Sequence, residues 1–255
     1  MTRAAGPIKL VIIGATGRMG TSLLRLLPQF PRLQLHAAVA APGHCSLGRD
    51  SGERAGLAPN GVKITAGLVA ALQGAGLAID FSVAASSAVE VDACAAAGVP
   101  LLLGTTGLGV EMPAVLERAA QRIPLLVTAN TSLGVTVLLD LVRRAATALG
   151  DRFDVQIQDT HHRDKVDSPS GTALALGEAA LAGGTAPGMI GYASLRGGDV
   201  VGEHEIQFLG EGERLSLRHG ATDRSVFARG ALQAGCWLAG QPKGAYRMAD
   251  LLAEK

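Results

Sequence analysis

Short apolar runs alternate with alanine-rich stretches through the first half of the chain. We predict strands over the apolar runs at residues 8–13, 33–39, 77–81, 99–103 and 123–127, with a further short one at 62–65. Alternating strands and helices are typical of right-handed crossover units, which build a parallel sheet covered by helices on both faces. The pattern therefore predicts an α/β fold with a doubly wound parallel sheet.

The pattern changes after Asn130. An amphipathic stretch at 133–149 predicts a long helix, and residues 153–158 predict a strand that leads into a histidine-rich loop. Three later segments alternate polar and apolar positions with the period of two that is typical of half-buried strands: 191–196, 203–208 and 213–218. We predict a second, α+β domain with a mainly antiparallel sheet, whose outer face meets solvent or a second subunit.

These patterns predict two domains. Residues 1–130 form the first, and residues from about 235 to 255 return to it after a final helix at 225–238 that contains Trp237. Residues 131–234 form the second domain, which we expect to bind substrate and to support oligomer assembly. A chain of 255 residues is long enough to give each domain a core of its own.

Composition narrows the possible functions. Charged residues make up 18% of the chain and the formal net charge is +1, which argues against a surface for nucleic acid or for an anionic membrane. No uncharged apolar run has the length of a membrane span. The three cysteines are odd in number and far apart, and the first residues lack the apolar stretch of a signal peptide. We expect a cytoplasmic protein whose partners are small molecules.

A glycine-rich turn follows the first predicted strand. Gly14, Gly17 and Gly20 are spaced as G-x-x-G-x-x-G ahead of helix-favouring residues. Such glycines let a pyrophosphate approach the backbone at the start of a helix, as in Rossmann-type nucleotide-binding folds. We therefore predict a dinucleotide site whose cofactor-binding residues are those of the turn: Gly14, Ala15, Thr16, Gly17, Arg18 and Met19.

The residues that would select between NAD and NADP are missing after the second strand. NAD-binding folds place an acidic residue about twenty positions after the glycine turn, and NADP-binding folds place an arginine nearby. Here the strand ends in Ala40 and Ala41. Arg18, His44 and Arg49 could contact a phosphate, although each is explained equally well as a solvent-facing charge. We expect NADH or NADPH as the cofactor, with weak discrimination between them.

Small polar residues also close three later strands. The closing segments are Asp80-Phe81-Ser82, Gly104-Thr105-Thr106-Gly107 and Thr128-Ala129-Asn130-Thr131. Ligands of such sheets collect at the carboxyl ends of the strands, so we predict that these loops line the nicotinamide pocket, and we rank 104–106 above Asp80. Ordinary turn chemistry is the alternative explanation for these residue types.

The segment at 159–173 contains the densest set of reactive residues. His161 can exchange a proton near neutral pH and Lys165 can supply a positive charge, which together suit proton transfer to an anionic substrate. Ser170, Gly171 and Thr172 open a helix-favouring stretch, where unpaired N–H groups attract carboxylate or phosphate. The alternatives are an ordinary helix cap, a solvated loop and a zinc site. We predict no metal, because adjacent histidines on an extended segment face opposite sides and no third ligand has familiar spacing.

The whole chain resembles the 4-hydroxy-tetrahydrodipicolinate reductase family, long called dihydrodipicolinate reductases. The most specific motif is His161-His-Arg-Asp-Lys165 with Pro169-Ser-Gly-Thr-Ala173. The likeness also rests on Gly14-Ala-Thr-Gly-Arg-Met-Gly20, Gly104-Thr-Thr-Gly107, Ala129-Asn130 with Ser132, and Arg196-Gly-Gly-Asp-Val-Val-Gly-Glu-His204.

The resemblance implies reduction of 4-hydroxy-tetrahydrodipicolinate, a dicarboxylate, to tetrahydrodipicolinate with loss of water, in lysine and diaminopimelate biosynthesis. It implies that His161 is the proton donor, that Lys165 is its cationic partner, and that His162, Gly171 and Thr172 hold the substrate carboxylates. It also implies a homotetramer.

The chain departs from the family pattern at two places. Ala40 and Ala41 stand where many members carry Glu-Arg, and Asp159 replaces a glutamate two positions before the first histidine. Three other functions stay open from the residues alone: a noncatalytic NAD(P)-sensing protein, a metal-dependent hydrolase, and another Rossmann dehydrogenase acting on an amino-acid precursor.

Overall fold

The computed structural model describes residues 6–253, and its chain divides into two compact units. The first unit contains the chain up to Thr131 and again from Phe227 onward, and the second contains Ser132–Val226. Within the described range, no helix is long and apolar enough to cross a bilayer.

The first unit begins with alternating strands and helices. The strands are β1 (Ile8–Ile13), β2 (Leu33–Val39), β3 (Ile64–Thr65), β4 (Leu77–Asp80), β5 (Leu101–Leu103) and β6 (Pro124–Val127). The helices are α1 (Arg18–Leu26), α2 (Ser51–Arg54), α3 (Leu68–Leu72), α4 (Ala84–Ala97) and α5 (Met112–Ala120). The strands pair in the order β6-β5-β4-β1-β2-β3, and every pair is parallel. This confirms the predicted Rossmann-type sheet.

Two strands are two residues shorter than their apolar runs suggested, while β4 and β6 are each one residue shorter. β5 starts at Leu101 and not at Val99, because Pro100 has no N–H to donate to a neighbouring strand, while the Val99 N–H bonds to the Cys94 carbonyl at the end of α4. β3 contains only Ile64 and Thr65, which pair with the end of β2.

The second unit places two helices against a four-stranded sheet. Its elements are α6 (Leu133–Leu149), β7 (Asp154–His161), α7 (Gly171–Ala182), β8 (Ile190–Arg196), β9 (Gly202–Gly210) and β10 (Glu213–Ala221). The strand order is β10-β9-β7-β8, antiparallel except for the parallel pair β7–β8. That pair is parallel because α7 forms a crossover between the two strands. The mainly antiparallel sheet is confirmed.

One face of this second sheet forms the core. Val155, Ile157, Ile206 and Phe208 are buried and share a cluster with apolar residues of α6 and α7. The alternate positions carry polar side chains that are exposed or half-buried: Gln156, Gln158, Glu205 and Gln207.

The chain then returns to the first unit. α8 (Ser225–Leu238) is buried along one side, β11 (Gly244–Tyr246) adds a parallel seventh strand beside β6, and α9 (Asp250–Ala253) follows. Trp237 is half-buried and packs edge-on against Tyr246, with ring centroids 5.3 Å apart.

Candidate functional site

The carboxyl ends of five parallel strands lie side by side in the first unit. The register pairs Val39 with Ile13, Ile13 with Asp80, Asp80 with Leu103, and Leu103 with Val127. Strand order reverses direction at β1 and β4, and loops that leave adjacent strands in opposite directions open a crevice there. All the predicted cofactor loops therefore start along this one edge.

The glycine turn follows β1 directly and is shaped by close backbone contacts. Gly14 has φ +74°, and a Cβ there would stand 2.5 Å from the Phe81 carbonyl oxygen. A Cβ on Gly20 would overlap the Gly14 carbonyl. No side chain caps α1 at Gly17. The first-turn N–H groups of a helix lack partners within it, so the turn has the donors and the open approach that a pyrophosphate needs.

The six predicted turn residues differ in what they can offer a ligand. Ala15 is buried and its N–H donates to the Val39 carbonyl at 2.9 Å, so its N–H is committed to the fold. The Gly17 N–H likewise donates to the Gly14 carbonyl at 3.0 Å. Arg18 is exposed and Met19 half-buried in the first turn of α1.

One cation at this turn was not predicted. Arg54, at the end of α2, donates from Nη2 to the Thr16 carbonyl at 3.3 Å and is half-buried. Arg54 lies 38 residues after Thr16, so no local sequence pattern connects it with the turn. Ala40 is buried and Ala41 is exposed, and their methyl side chains place no charge at the end of β2.

The loop after β5 packs against the loop after β4. A Cβ on Gly104 would overlap the ring of Phe81, which belongs to the segment that closes β4. Thr105 is buried, and its hydroxyl makes a long hydrogen bond of 3.5 Å to Asp80 Oδ1. Thr106 is exposed. Gly104 and Thr105 therefore support the loop, and Thr106 presents its side chain outward.

The loop after β6 is a tight turn. The Thr128 hydroxyl donates to the Asn130 carbonyl at 2.8 Å and accepts from the Asn130 N–H at 3.2 Å. Thr131 is buried and donates to the Phe227 carbonyl at 2.6 Å, where the chain returns to this unit. Ala129 is exposed at the tip of the turn.

A buried carboxyl pair lies beneath these loops. Asp80 is fully buried; its Oδ1 accepts from the Ser82 N–H at 2.7 Å, and its Oδ2 has no hydrogen-bond partner within residues 6–253. Glu90 of α4 accepts from the Ser82 hydroxyl at 2.6 Å. Burial, and then the charge of Glu90, raise the pKa of Asp80 to about 7. Asp80 is thus a buried carboxyl at the end of β4 that is not exposed to solvent.

In the second unit, the reactive segment begins on a strand. β7 continues through His161, three residues beyond the strand end that we predicted, so the loop starts only at His162. The register pairs Asp159 with Ser194 on one side and with His204 on the other, and it pairs His161 with Arg196. The polar residues of three strands thereby meet in adjacent rows.

Asp159 is the centre of this polar cluster and was not predicted as a site residue. It is 0% exposed. Its Oδ1 accepts from the Ser194 hydroxyl at 2.6 Å and from the Ser170 N–H at 3.4 Å, and its Oδ2 accepts from His161 Nδ1 and Arg196 Nη1, both at 2.8 Å. Burial by itself would raise the pKa of Asp159, but these four donors lower it overall.

His161 is 8% exposed and lies among both positive and negative groups. Burial lowers its pKa, and the charges of Lys165 and Arg196 act in the same direction, while Asp159 opposes them. The ring of His204 stands edge-on to it, with centroids 5.1 Å apart. Burial lowers the pKa of His204 to about 4, so that this second ring is neutral at neutral pH.

The loop from His162 to Pro169 carries the predicted lysine. Lys165 Nζ contacts both carboxylate oxygens of Asp167, at 2.7 and 2.9 Å. Arg196 Nη2 donates to the Asp167 carbonyl at 2.7 Å and so ties the loop to the end of β8. His162 is half-buried. Within residues 6–253, no group of three His, Cys, Asp or Glu side chains could hold a metal ion.

Ser170 caps α7. Its hydroxyl accepts from the Ala173 N–H at 3.2 Å and lies 3.1 Å from His204 Nε2, and the residue is 2% exposed. Its side chain is thus committed to the helix start. Gly171 is exposed and Thr172 is half-buried in the first turn of α7.

Comparisons with known proteins agree across both units. The model "Dihydrodipicolinate reductase, N-terminus" matches residues 8–131, and "Dihydrodipicolinate reductase, C-terminus" matches residues 134–252. A 4-hydroxy-tetrahydrodipicolinate reductase of Anaeromyxobacter sp. (strain Fw109-5) is 46% identical, over 96% of this chain and 97% of that protein. One from Agrobacterium fabrum (strain C58 / ATCC 33970) is 44% identical, over 96% of each.

Solved structures share the fold. A dipicolinate-bound dihydrodipicolinate reductase from Paenisporosarcina sp. TG-14 superposes with a TM-score of 0.75 at 20% identity, over 94% of this chain and 97% of that one. An amine dehydrogenase from Mycobacterium smegmatis superposes with a TM-score of 0.61 at 13% identity, over 95% of each chain. With family models matching nearly the whole chain and relatives above 40% identity, this chain belongs to the dihydrodipicolinate reductase family of oxidoreductases.

Proposed function

We propose that this chain reduces 4-hydroxy-tetrahydrodipicolinate to tetrahydrodipicolinate with loss of water, in lysine and diaminopimelate biosynthesis. The observation that carries the proposal is the likeness of both units, at more than 40% identity, to relatives named for this reaction. The cluster around His161 supplies the acid chemistry that such a reduction needs.

The first unit would hold NADH or NADPH, which when bound supplies the hydride. The uncapped start of α1 fits a pyrophosphate, with Arg18 and Met19 offering first-turn N–H groups and Gly14 and Gly17 keeping the approach open. Ala15 and Thr16 shape the turn through their backbone, since the carbonyl of Thr16 holds Arg54. No acid follows β2, so we expect both cofactors to be used.

The loops after β5 and β6 would surround the nicotinamide end. Among the residues of these loops that we predict to bind the cofactor, Thr106 and Ala129 are exposed. Gly104, Thr105, Thr128, Asn130 and Thr131 would act mainly by fixing loop shape, because each is buried, packed closely or engaged in a hydrogen bond.

His161 would donate the proton and Lys165 would be its cationic partner. A lowered pKa makes the protonated imidazole a strong donor but a minor form at neutral pH. A bound dicarboxylate would add negative charge beside the ring, and opposite charge favours the protonated form. Substrate binding would thus favour the protonated form of His161, which supplies the proton that the reaction consumes.

The start of α7 would bind the substrate carboxylates. Gly171 and Thr172 lie in the first turn of this helix, where N–H groups and the helix dipole favour anions. His162 lies at the other end of the same loop. Ser170 would contribute by capping the helix, since its hydroxyl is already engaged.

We also propose a cytoplasmic homotetramer whose partners are small molecules and not nucleic acid. The polar outer face of the second sheet supports assembly, because an antiparallel sheet with one packed face can bury its other face against a second subunit. The three cysteines are all free, which fits a reducing compartment.

The test is steady-state oxidation of NADH and of NADPH with substrate generated in place by the synthase that precedes the reductase. We expect consumption of either cofactor only when that substrate is present, and the ratio of the two rates measures discrimination. Cofactor binding without any consumption would contradict the proposal and favour a sensing protein.

A further inference from the structure

We propose that Asp159 is a positioning residue that keeps Nδ1 of His161 protonated, so that Nε2 is the nitrogen through which the ring exchanges its proton. The inference rests on the proposed role of His161 as proton donor. It concerns a side chain that is completely buried and touches the catalytic ring directly.

The hydrogen-bond count fixes the protonation states. Asp159 accepts from a hydroxyl, a guanidinium, a backbone N–H and His161 Nδ1. The four donors occupy the acceptor sites of the carboxyl group, which is therefore ionised. An ionised carboxylate has no proton to donate and can only accept hydrogen bonds. Nδ1 must therefore be the donor in the 2.8 Å bond to Oδ2. This holds for the neutral ring as well as for the charged one.

The carboxylate cannot turn away from the ring. Ser194 and Arg196 hold it from β8, and the N–H of Ser170 holds it from the cap of α7. Arg196 is itself fixed by its second bond, to the Asp167 carbonyl. Asp159 thus links a strand, a helix start and the lysine loop, and it presents Oδ2 to His161 in a preorganised direction.

The other ring nitrogen is left for chemistry. Within the described chain, Nε2 of His161 has no hydrogen-bond partner, and a Cβ on Gly202 would stand 3.1 Å from it. The glycine therefore preserves space beside Nε2. The neighbouring ring of His204 faces Ser170 through its own Nε2 and does not bond to His161.

The proton balance is simple in this arrangement. When the ring acts as acid, the Nε2–H bond breaks, its electron pair stays on Nε2 and the proton passes to the substrate. The neutral ring keeps its Nδ1–H bond to Asp159 throughout. Uptake of one solvent proton at Nε2 restores the acid form, with no ring rotation or change of tautomer.

The charged groups that face His161 determine in which direction its pKa shifts when Asp159 is replaced. Asp159 on β7 favours the imidazolium form; Lys165 on the loop and Arg196 on β8 oppose it, and His204 on β9 is neutral. Removing the negative charge therefore lowers the pKa of His161. The alkaline limb of kcat/KM, where the donor loses its proton, should move to lower pH.

We would compare Asp159→Asn with Ser194→Ala and Asp159→Glu. Asp159→Asn removes the negative charge, and the alkaline limb of kcat/KM should move to lower pH by about one unit or more. Ser194→Ala removes a donor from Oδ1 but leaves the Oδ2 bond to the ring, so its limb should stay near the wild-type position. Asp159→Glu keeps a carboxylate, so its alkaline limb should lie near the wild-type pH position.

Nitrogen-15 NMR of histidine-labelled protein gives a readout independent of turnover. At high pH the neutral ring of His161 should carry its proton on Nδ1 in the wild type and lose that preference in Asp159→Asn. A neutral ring protonated on Nε2 in the wild type, or an alkaline limb unchanged in a folded Asp159→Asn protein, would overturn the inference. If the wild type turns over no substrate, the proposed function fails while the NMR result still decides the role of Asp159.

Discussion

At the scale of single residues, His161 and Lys165 are the side chains on which turnover should depend most. His161→Gln or Lys165→Ala should lower kcat by about 10²- to 10⁴-fold, the usual contribution of a positioned acid. NADH affinity should not change, because both residues belong to the second unit and the glycine turn to the first. Steady-state kinetics and fluorescence titration with NADH measure the two quantities.

His36→Gln is the matched control for His161→Gln. His36 lies on β2, and its Nε2 bonds to the Gln73 carbonyl at 3.0 Å in an exposed position. This control should keep kcat near the wild-type value. Equal losses in the two histidine variants would show that the effect of His161→Gln is not specific to proton transfer.

Asp80 makes a separate prediction about stability and pH. The carboxyl of an unfolded chain ionises near pH 4, whereas burial and Glu90 raise the pKa of Asp80 to about 7 in the fold. Between these values the folded protein holds a proton that the unfolded chain has lost, so stability falls as pH rises and levels off above about pH 7. Asp80→Asn removes this penalty, since an amide oxygen can still accept from the Ser82 N–H.

We expect Asp80→Asn to raise the free energy of unfolding by about 1–3 kcal/mol at pH 8 and to change it little at pH 4. Denaturant unfolding at the two pH values measures the difference. Asp92→Asn, on the exposed side of the same helix as Glu90, should have little effect at either pH. A gain of equal size at both pH values would mean that ionisation of Asp80 is not the cause.

At the scale of elements, the hydrophobic pattern was sufficient to predict the bounds of elements that are amphipathic. The predicted bounds of α6 and α8 agree with the structure, because both helices bury one apolar side along their whole length. The end of β7 was missed for a physical reason. Its buried positions there are Asp159 and His161, so the apolar signal stops although the strand continues.

The contacts within the site could not be predicted from the sequence pattern either. The parallel pairing of β8 with β7 brings Ser194 and Arg196 to Asp159 from 35 and 37 residues away. Such a pairing depends on the crossover through α7, which no local pattern encodes. The motif at 159–173 thus contains the residues that we predict to react, whereas the contacts of Asp159 with them became visible only in the fold.

The turn between β1 and α1 allows a test of the cofactor site. A methyl group on Gly20 would overlap the Gly14 carbonyl and the backbone of Ala15, so Gly20→Ala must displace the turn. We expect NADH and NADPH affinity to fall by at least about tenfold and stability to fall by about 1–3 kcal/mol. Gly188→Ala is the control, since a Cβ there meets nothing within 4 Å. Unchanged cofactor affinity in a Gly20→Ala protein would show that this turn does not bind the cofactor.

At the scale of the whole molecule, the outer face of the second sheet determines whether subunits assemble. Gln156 on β7 and Gln207 on β9 are direct cross-strand partners on this face. Lysine at both positions would place like charges opposite each other and against a second subunit, and buried unpaired charges are strongly unfavourable. The double variant Gln156→Lys/Gln207→Lys should therefore dissociate into smaller species while the fold within each chain persists.

Light scattering at working concentration measures the mass, and circular dichroism checks that the chains stay folded. The matched control is Gln29→Lys/Gln121→Lys, which makes the same chemical change at two exposed positions of the first unit and should keep the tetramer mass. A wild-type monomer would refute the tetramer outright. A tetramer that survives the two lysines on the sheet face would place the subunit contacts elsewhere, because four such pairs could not be buried together without loss of association.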